Sequence, residues 1–221
     1  MLYPQFLPRC VPVAVFAFHG LPCRSEKFYD LSGSLTHFAL VAACLLREAS
    51  LGDPRSPRQL AMALLSVVWL TRLGTFLFTR IARDGKDGRF DAIKPNWLSF
   101  LGAWNLQAAW CVLTQLPVLL VNTKAYGTAP LSVVDGVALG LWCLGFAFEC
   151  SADLEKFTFR GKPENKGKFI TEGVWRYCRH PNYFGKLPAR CLLTRCHAAS
   201  DSDISFIVTQ AFSIVLGTLI S

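Results

Sequence analysis

Within the longest uncharged stretch of this chain, the run from Trp97 to Thr123 covers 27 residues interrupted only by neutral polar side chains such as Asn105 and Gln107. As a helix it would rise about 40 Å, enough to cross the roughly 30 Å hydrocarbon core of a bilayer. Such a run must be buried either in a large protein core or in lipid, and composition decides between them. Of 221 residues, 52% are hydrophobic and 17% charged, against roughly 45–50% and about 25% in ordinary soluble domains. So few charged groups could hardly cover so much apolar surface, and with 17 Phe and 6 Trp the chain is equally unlike a disordered one. Lipid is therefore the expected solvent.

Further apolar windows of spanning length lie at 31–46, extendable to Phe28; at 59–79, broken by Arg72; at 133–150, with Asp135 and Glu149 near its ends; and at 204–220. The segment 6–22 is apolar but short, and carries Pro8, Pro12 and Pro22, so the count is five or six spans. It does not read as a signal peptide, having a lone Arg9 and no small-residue cleavage site. The expected fold is an all-α, polytopic transmembrane helical bundle. An Arg inside hydrocarbon costs at least about 2.5–3.5 kcal/mol, so Arg72 should snorkel, pair or face a polar cavity.

The net charge of +8 is concentrated beside the spans. Segment 80–96 carries five basic residues and 151–203 carries ten against six acidic, whereas 47–58 and 122–132 carry three and one. Two basic loops separated by two spans share a face, and the excess of Lys and Arg assigns loops 80–96 and 151–203 to the cytosolic side of an internal membrane, expected to be the endoplasmic reticulum. Basic residues placed in this way, away from any recognition helix or aromatic sheet, argue against nucleic acid as a partner. The nine Cys fall in apolar runs and in the basic stretch without a CxxC pair, so no metal site or disulfide framework is expected. The Asp84–Asp91 loop lacks the Asp spacing and closing Glu of a calcium loop.

Three constellations carry potential chemistry. Glu149, Asp153 and Lys156, at i, i+4 and i+7, share one helical face where a span enters the basic segment. They are either a solvated, self-paired helix end or a ligand site in which Asp153 accepts hydrogen bonds or orients an Arg. The run from Arg160 to Gly185 is punctuated by Gly161, Pro163, Gly167 and Gly173, with Arg160, Lys162, Lys166, Lys168, Arg176 and Arg179 between them. Cations on a glycine-rich loop suit either lipid headgroups or ligand phosphates. In Arg179-His180-Pro181-Asn182-Tyr183, Pro181 holds His180 extended beside an amide and a phenol.

The order of these motifs resembles the membrane reductases of the steroid 5-alpha-reductase C-terminal type, especially their broad branch of unknown-function proteins. The matching stretches are Lys27-Phe28-Tyr29-Asp30-Leu31-Ser32-Gly33-Ser34, Arg72 to Phe78, Asp87-Gly88-Arg89-Phe90-Asp91, Glu149 through Asp153 and Lys156, and Gly167-Lys168-Phe169-Ile170 through Arg179 to Gly185. The resemblance covers residues 24–185 as one membrane domain, leaving 1–23 as an N-terminal apolar segment and 186–221 as a divergent tail. It implies NADPH-dependent reduction of a carbon–carbon double bond conjugated to a carbonyl in a steroid- or lipid-like substrate, with hydride going to the β-carbon. Such chemistry needs an acid near the carbonyl oxygen, a basic pocket for the cofactor phosphates and an apolar cavity open to lipid. The implied partners are the bilayer and a hydrophobic small molecule; oligomeric state has no signature.

Carried over position by position, the resemblance gives Glu149, Asp153, Arg160, Lys168, Arg179, His180 and Asn182 as cofactor-binding residues, with Lys168 standing where the steroid enzymes have Arg. Tyr29 and Tyr183, with Asp30, are the candidates for the group that polarises the substrate. After Gly185 the chain departs from the pattern: Lys186 replaces a Glu and opens the polar stretch KLPARCLLTRCHAASDSD. Two other readings stay open. One is an S-adenosylmethionine-dependent membrane methyltransferase resembling the isoprenylcysteine carboxyl methyltransferases, which share an Arg-His-Pro segment; Asn182 and the spacing of Asp153 to Arg160 favour the reductase. The other is a non-catalytic membrane scaffold or degenerate paralogue, which the departure after Gly185 favours.

Overall fold

The computed structural model describes residues 7–50, 55–122, 131–177 and 181. The described residues are helical with no strand, in the order α1 (Leu7–Val15), a π turn (Phe16–Gly20), α2 (Leu21–Cys23), α3 (Tyr29–Ser50), α4 (Pro57–Asp84), α5 (Trp97–Val121) and α6 (Val133–Arg160). The windows expected at 31–46, 59–79 and 133–150 lie on long helices, as do residues 97–121 of the fourth, and 7–22 is helical too. Among the described residues three helices are long and apolar enough to cross a membrane: Tyr29–Leu46, Pro57–Asp84 and Asp135–Arg160. Helix α5, 25 residues without a charged side chain, rises about 37 Å and is also of spanning length. The window 204–220 and the rest of the tail lie outside the described residues.

Local chemistry sets the helix ends. The Ser56 side chain accepts from the Gln59 N–H while the Gln59 side chain accepts from the Ser56 N–H, with Pro57 in the first turn, so α4 begins with a reciprocal cap. It stops at Gly85, whose φ of 77° an L side chain rarely adopts. Asn96 caps α5 by accepting from the N–H groups of Leu98 and Ser99. The Asp135 carboxylate accepts the Ser132 N–H at 2.7 Å and opens α6. The α1 segment contains Pro12, which removes a backbone donor, and it passes into the π turn before ending at Arg24 in the left-handed region (φ 44°).

Two compact units divide the chain, residues 1–130 and 131–221. In the first, α1 packs on α3 and α5, and α3 also packs on α4. One end of this bundle holds an aromatic cluster of Phe16, Tyr29, Phe90, Phe100 and Trp104. Its rings meet largely edge to face, as the ring quadrupoles favour: Tyr29 to Phe90 at 4.7 Å, Tyr29 to Trp104 at 5.3 Å and Phe16 to Phe100 at 5.4 Å between centroids.

Between the helices, polar side chains take the place that a hydrophobic seam would fill in water. Ser66 Oγ donates to Gln115 Oε1 at 2.9 Å, Gln59 Nε2 to the Val121 carbonyl at 3.3 Å, and Cys111 Sγ contacts the Gly33 carbonyl at 3.6 Å. Helices immersed in lipid gain little from burying apolar surface against one another, so hydrogen bonds and close approach at small residues hold them together. Gly74 illustrates the second device: a Cβ there would come within 2.6 Å of Ser34 Oγ. Arg55 donates to Asn122 Oδ1 at 3.1 Å and to the Cys44 and Leu45 carbonyls, occupying acceptors near the end of α3. Arg72 lies half-buried with its guanidinium 5.5 Å from the Phe76 ring one turn on, so a cation–π contact is one way its charge is accommodated.

The second unit is built on α6. Its buried positions form one stripe: Ala138, Gly145 two turns on, Glu149 one turn further, and Ala152 and Asp153 one turn beyond that. Beyond Arg160 the chain makes two 3-10 turns, Pro163–Asn165 and Gly173–Arg176, and the second folds back onto the helix.

Candidate functional site

Helix geometry brings Glu149 and Asp153 one turn apart on the α6 stripe, and both are buried, 2% and 7% exposed. Both carboxylates are thus withdrawn from solvent. Lys156, the third member of that face, lies with its ammonium 5.0 Å from the centre of the Trp175 ring. The returning turn is pinned beside it: the Trp175 indole N–H donates to the Ala152 carbonyl at 2.9 Å, and the Val174 N–H donates to the Glu155 carboxylate at 3.0 Å. Gly173 makes this possible, since its φ is 55° and a Cβ there would run into the Glu155 carboxylate.

The cations stand differently. Arg160 closes α6 and is exposed, and Lys168 is exposed just after Gly167, whose φ is 79°. Among the described residues neither forms an ion pair, and the same holds for Lys162, Lys166 and Arg176. A backbone bond from the Lys168 N–H to the Asn165 carbonyl, with Asn165 Nδ2 donating to the Phe159 carbonyl, fixes the loop on the helix end. The unit therefore joins two buried carboxylates to a glycine-shaped loop of exposed cations without acidic partners among the described residues. Carboxylates so placed accept hydroxyl or amide hydrogens, and the cations suit a polyanion. Arg179, His180, Asn182 and Tyr183 lie outside the described residues.

Tyr29 belongs to the first unit. It is 3% exposed, inside the aromatic cluster, and its hydroxyl donates to the Ala103 carbonyl at 3.1 Å. Its neighbour Asp30 pairs with Arg80 at 3.3 Å. This pair is part of a network that sequence reading did not anticipate. Arg80 also lies 3.7 Å from Asp87, Arg89 contacts Asp87 at 2.5 Å, the Asp87 N–H donates to Glu26 Oε1 at 2.7 Å, and Lys94 pairs with Glu26. The Asp-Gly-Arg-Phe-Asp turn thus ties the start of α3 to the end of α4. Among the described residues no group of His, Cys, Asp and Glu is arranged to hold a metal ion.

Burial pushes the Asp87 carboxyl up, but the hydrogen bonds and charge of Arg89, with the charge of Arg80, outweigh it and hold it below the usual carboxylate range. A carboxylate depressed in the folded state stabilises the fold above its unfolded pKa, about 3.9, and that contribution disappears as pH falls through the folded value. Asp87→Asn is accordingly expected to cost about 1–2 kcal/mol at pH 7. Thermal unfolding in detergent from pH 7 to 3 should show the gap between variant and parent closing below about pH 4; a gap independent of pH would contradict this account.

A family model described as protein of unknown function (DUF1295) matches residues 18–216. The chain belongs to this family. The DUF1295 match takes in both units, from the π turn through α6 and its loop, and extends on either side of 24–185. Neither a curated protein nor a solved structure matches the chain.

Proposed function

We propose that this protein is a membrane-embedded, NADPH-dependent reductase of a conjugated carbon–carbon double bond in a steroid- or lipid-like substrate. The observation that carries this reading is the sequence of surfaces along α6: two buried carboxylates where its apolar part ends, followed about 10 Å further along the helix by Arg160 and then by loop cations, all exposed and without an acidic partner among the described residues. The cations fit the phosphates of a dinucleotide, and the carboxylates fit its ribose hydroxyl or carboxamide donors. The resemblance of the ordered motifs to steroid 5-alpha-reductase C-terminal proteins supports the same assignment. In this reading Arg160 and Lys168 bind phosphate while Glu149 and Asp153 orient the nucleotide, with Arg179, His180 and Asn182 completing the site. The cofactor, when bound, supplies the hydride. An acid of the protein, for which Tyr183 and Tyr29 are the candidates, supplies the proton. Of these, Tyr183 is the better placed in sequence, since the Tyr29 hydroxyl is committed to the Ala103 carbonyl.

Titration of the detergent-solubilised protein with NADPH and with S-adenosylmethionine, followed by thermal unfolding, tests this. NADPH at a hundred times its Kd should stabilise the fold by about 2.7 kcal/mol, with no effect of S-adenosylmethionine. A shift with S-adenosylmethionine alone would establish the methyltransferase reading instead, and no shift with either would favour a non-catalytic scaffold.

A further inference from the structure

The loop after α6 carries large exposed apolar side chains as well as charge. Phe169 is 93% and Tyr177 82% exposed, and Leu154, on the turn of α6 where the loop folds back, is 65% exposed. Isolated apolar residues on a surface need no explanation, but these share one short segment with Lys162, Lys166 and Arg176. The depth of the segment explains the combination. Helix α6 has 28 residues and rises about 42 Å, which matches the 40–45 Å of a bilayer including its headgroups. Its apolar part ends near Glu149 and Asp153, and the bonds from Trp175 to Ala152 and from Val174 to Glu155 bring the loop back to that level. Tyr177 and its neighbours therefore stand at the boundary between hydrocarbon and headgroups, where amphipathic aromatic rings settle and cations meet lipid phosphate.

We propose that residues 161–177, with Leu154, form a docking surface for anionic phospholipid headgroups, the aromatic rings seating in the interface and Lys162, Lys166 and Arg176 meeting the headgroup charge. Charge complementarity commits the occupant to anionic lipid, because apolar contact alone would not distinguish one headgroup from another. Within this segment the headgroup contacts fall to Lys162, Lys166 and Arg176, whereas the nucleotide reading uses Arg160 and Lys168, so the triple substitution below leaves the residues of that reading in place.

Amide hydrogen exchange of the full chain in nanodiscs of pure phosphatidylcholine, and of phosphatidylcholine with phosphatidylserine, tests it. Each Lys or Arg near an anionic surface strengthens association about five-fold, so exchange across 161–177 should slow at least about five-fold in the phosphatidylserine discs. High salt should reverse the effect. Replacing Lys162, Lys166 and Arg176 together with Gln should abolish the difference between lipids, and Phe169→Ser with Tyr177→Ser should reduce protection in both, with exchange of α6 unchanged as the control for folding. Equal protection in the two lipids, or a lipid difference that survives the triple substitution, would overturn the proposal.

Discussion

Replacing Trp104 with Ala is expected to lower the unfolding free energy by about 3–5 kcal/mol, the range for deleting a large aromatic from a packed interior. Trp104 is fully buried, with Phe16, Tyr29 and Phe100 at 5.8, 5.3 and 6.1 Å between centroids. The backbone has come close to accommodate it: a Cβ on Gly20 would lie 3.1 Å from the indole. Its Nε1 has no hydrogen-bond partner among the described residues, so truncation forfeits dispersion contacts and leaves a cavity without orphaning a polar group there. The residue joins the π turn, α3 and α5 at a single point. For a chain of this size the cost corresponds to a melting-temperature drop of roughly 6–20 °C in detergent. Trp104→Phe should recover most of it, and a drop under about 2 °C for Trp104→Ala would show that the cluster does not hold the bundle together.

Arg160→Ala is expected to weaken NADPH binding by about ten- to a hundred-fold, the worth of one charge-assisted contact. Because Arg160 is exposed at the helix terminus, its removal should leave unfolding in the absence of nucleotide nearly unchanged, which separates a binding effect from a folding one. Asp153→Asn should weaken binding as well, but this residue is buried, so its effect has to be read against the melting temperature of the free protein. Lys168→Arg is the informative gain: a planar guanidinium can grip a phosphate with two parallel bonds where an ammonium acts as a point charge. Its affinity for NADPH should rise. Unchanged affinity in Arg160→Ala, measured by isothermal titration, would remove the phosphate-binding role from this loop.

Parts of this arrangement were legible in sequence because they depend on short-range regularities. The 27-residue uncharged run could be little else than a long helix. The shared face of Glu149 and Asp153 follows from helical periodicity alone. Their burial does not, because whether a face is covered depends on what packs against it. Likewise the Asp-Gly-Arg-Phe-Asp turn showed only that it was not a calcium loop. Its partner Glu26 lies 61 residues away, and Asp30 joins the network through Arg80, which meets both Asp30 and Asp87 only when α3 and α4 pack together.

Sequence by itself determined that this chain is a set of long apolar helices bordered by basic segments, because hydrophobic run length and charge placement are set residue by residue against the thickness of a bilayer. Tertiary structure decided which polar groups are spent on holding the protein together. Asp30, Arg80, Asp87 and Arg89 bind one another, and the Tyr29 hydroxyl is bound to a backbone carbonyl, while Arg160 and Lys168 have no acidic partner among the described residues. The physical reason is that a charge's role depends on its partner and its solvent, and both are fixed only when distant segments pack.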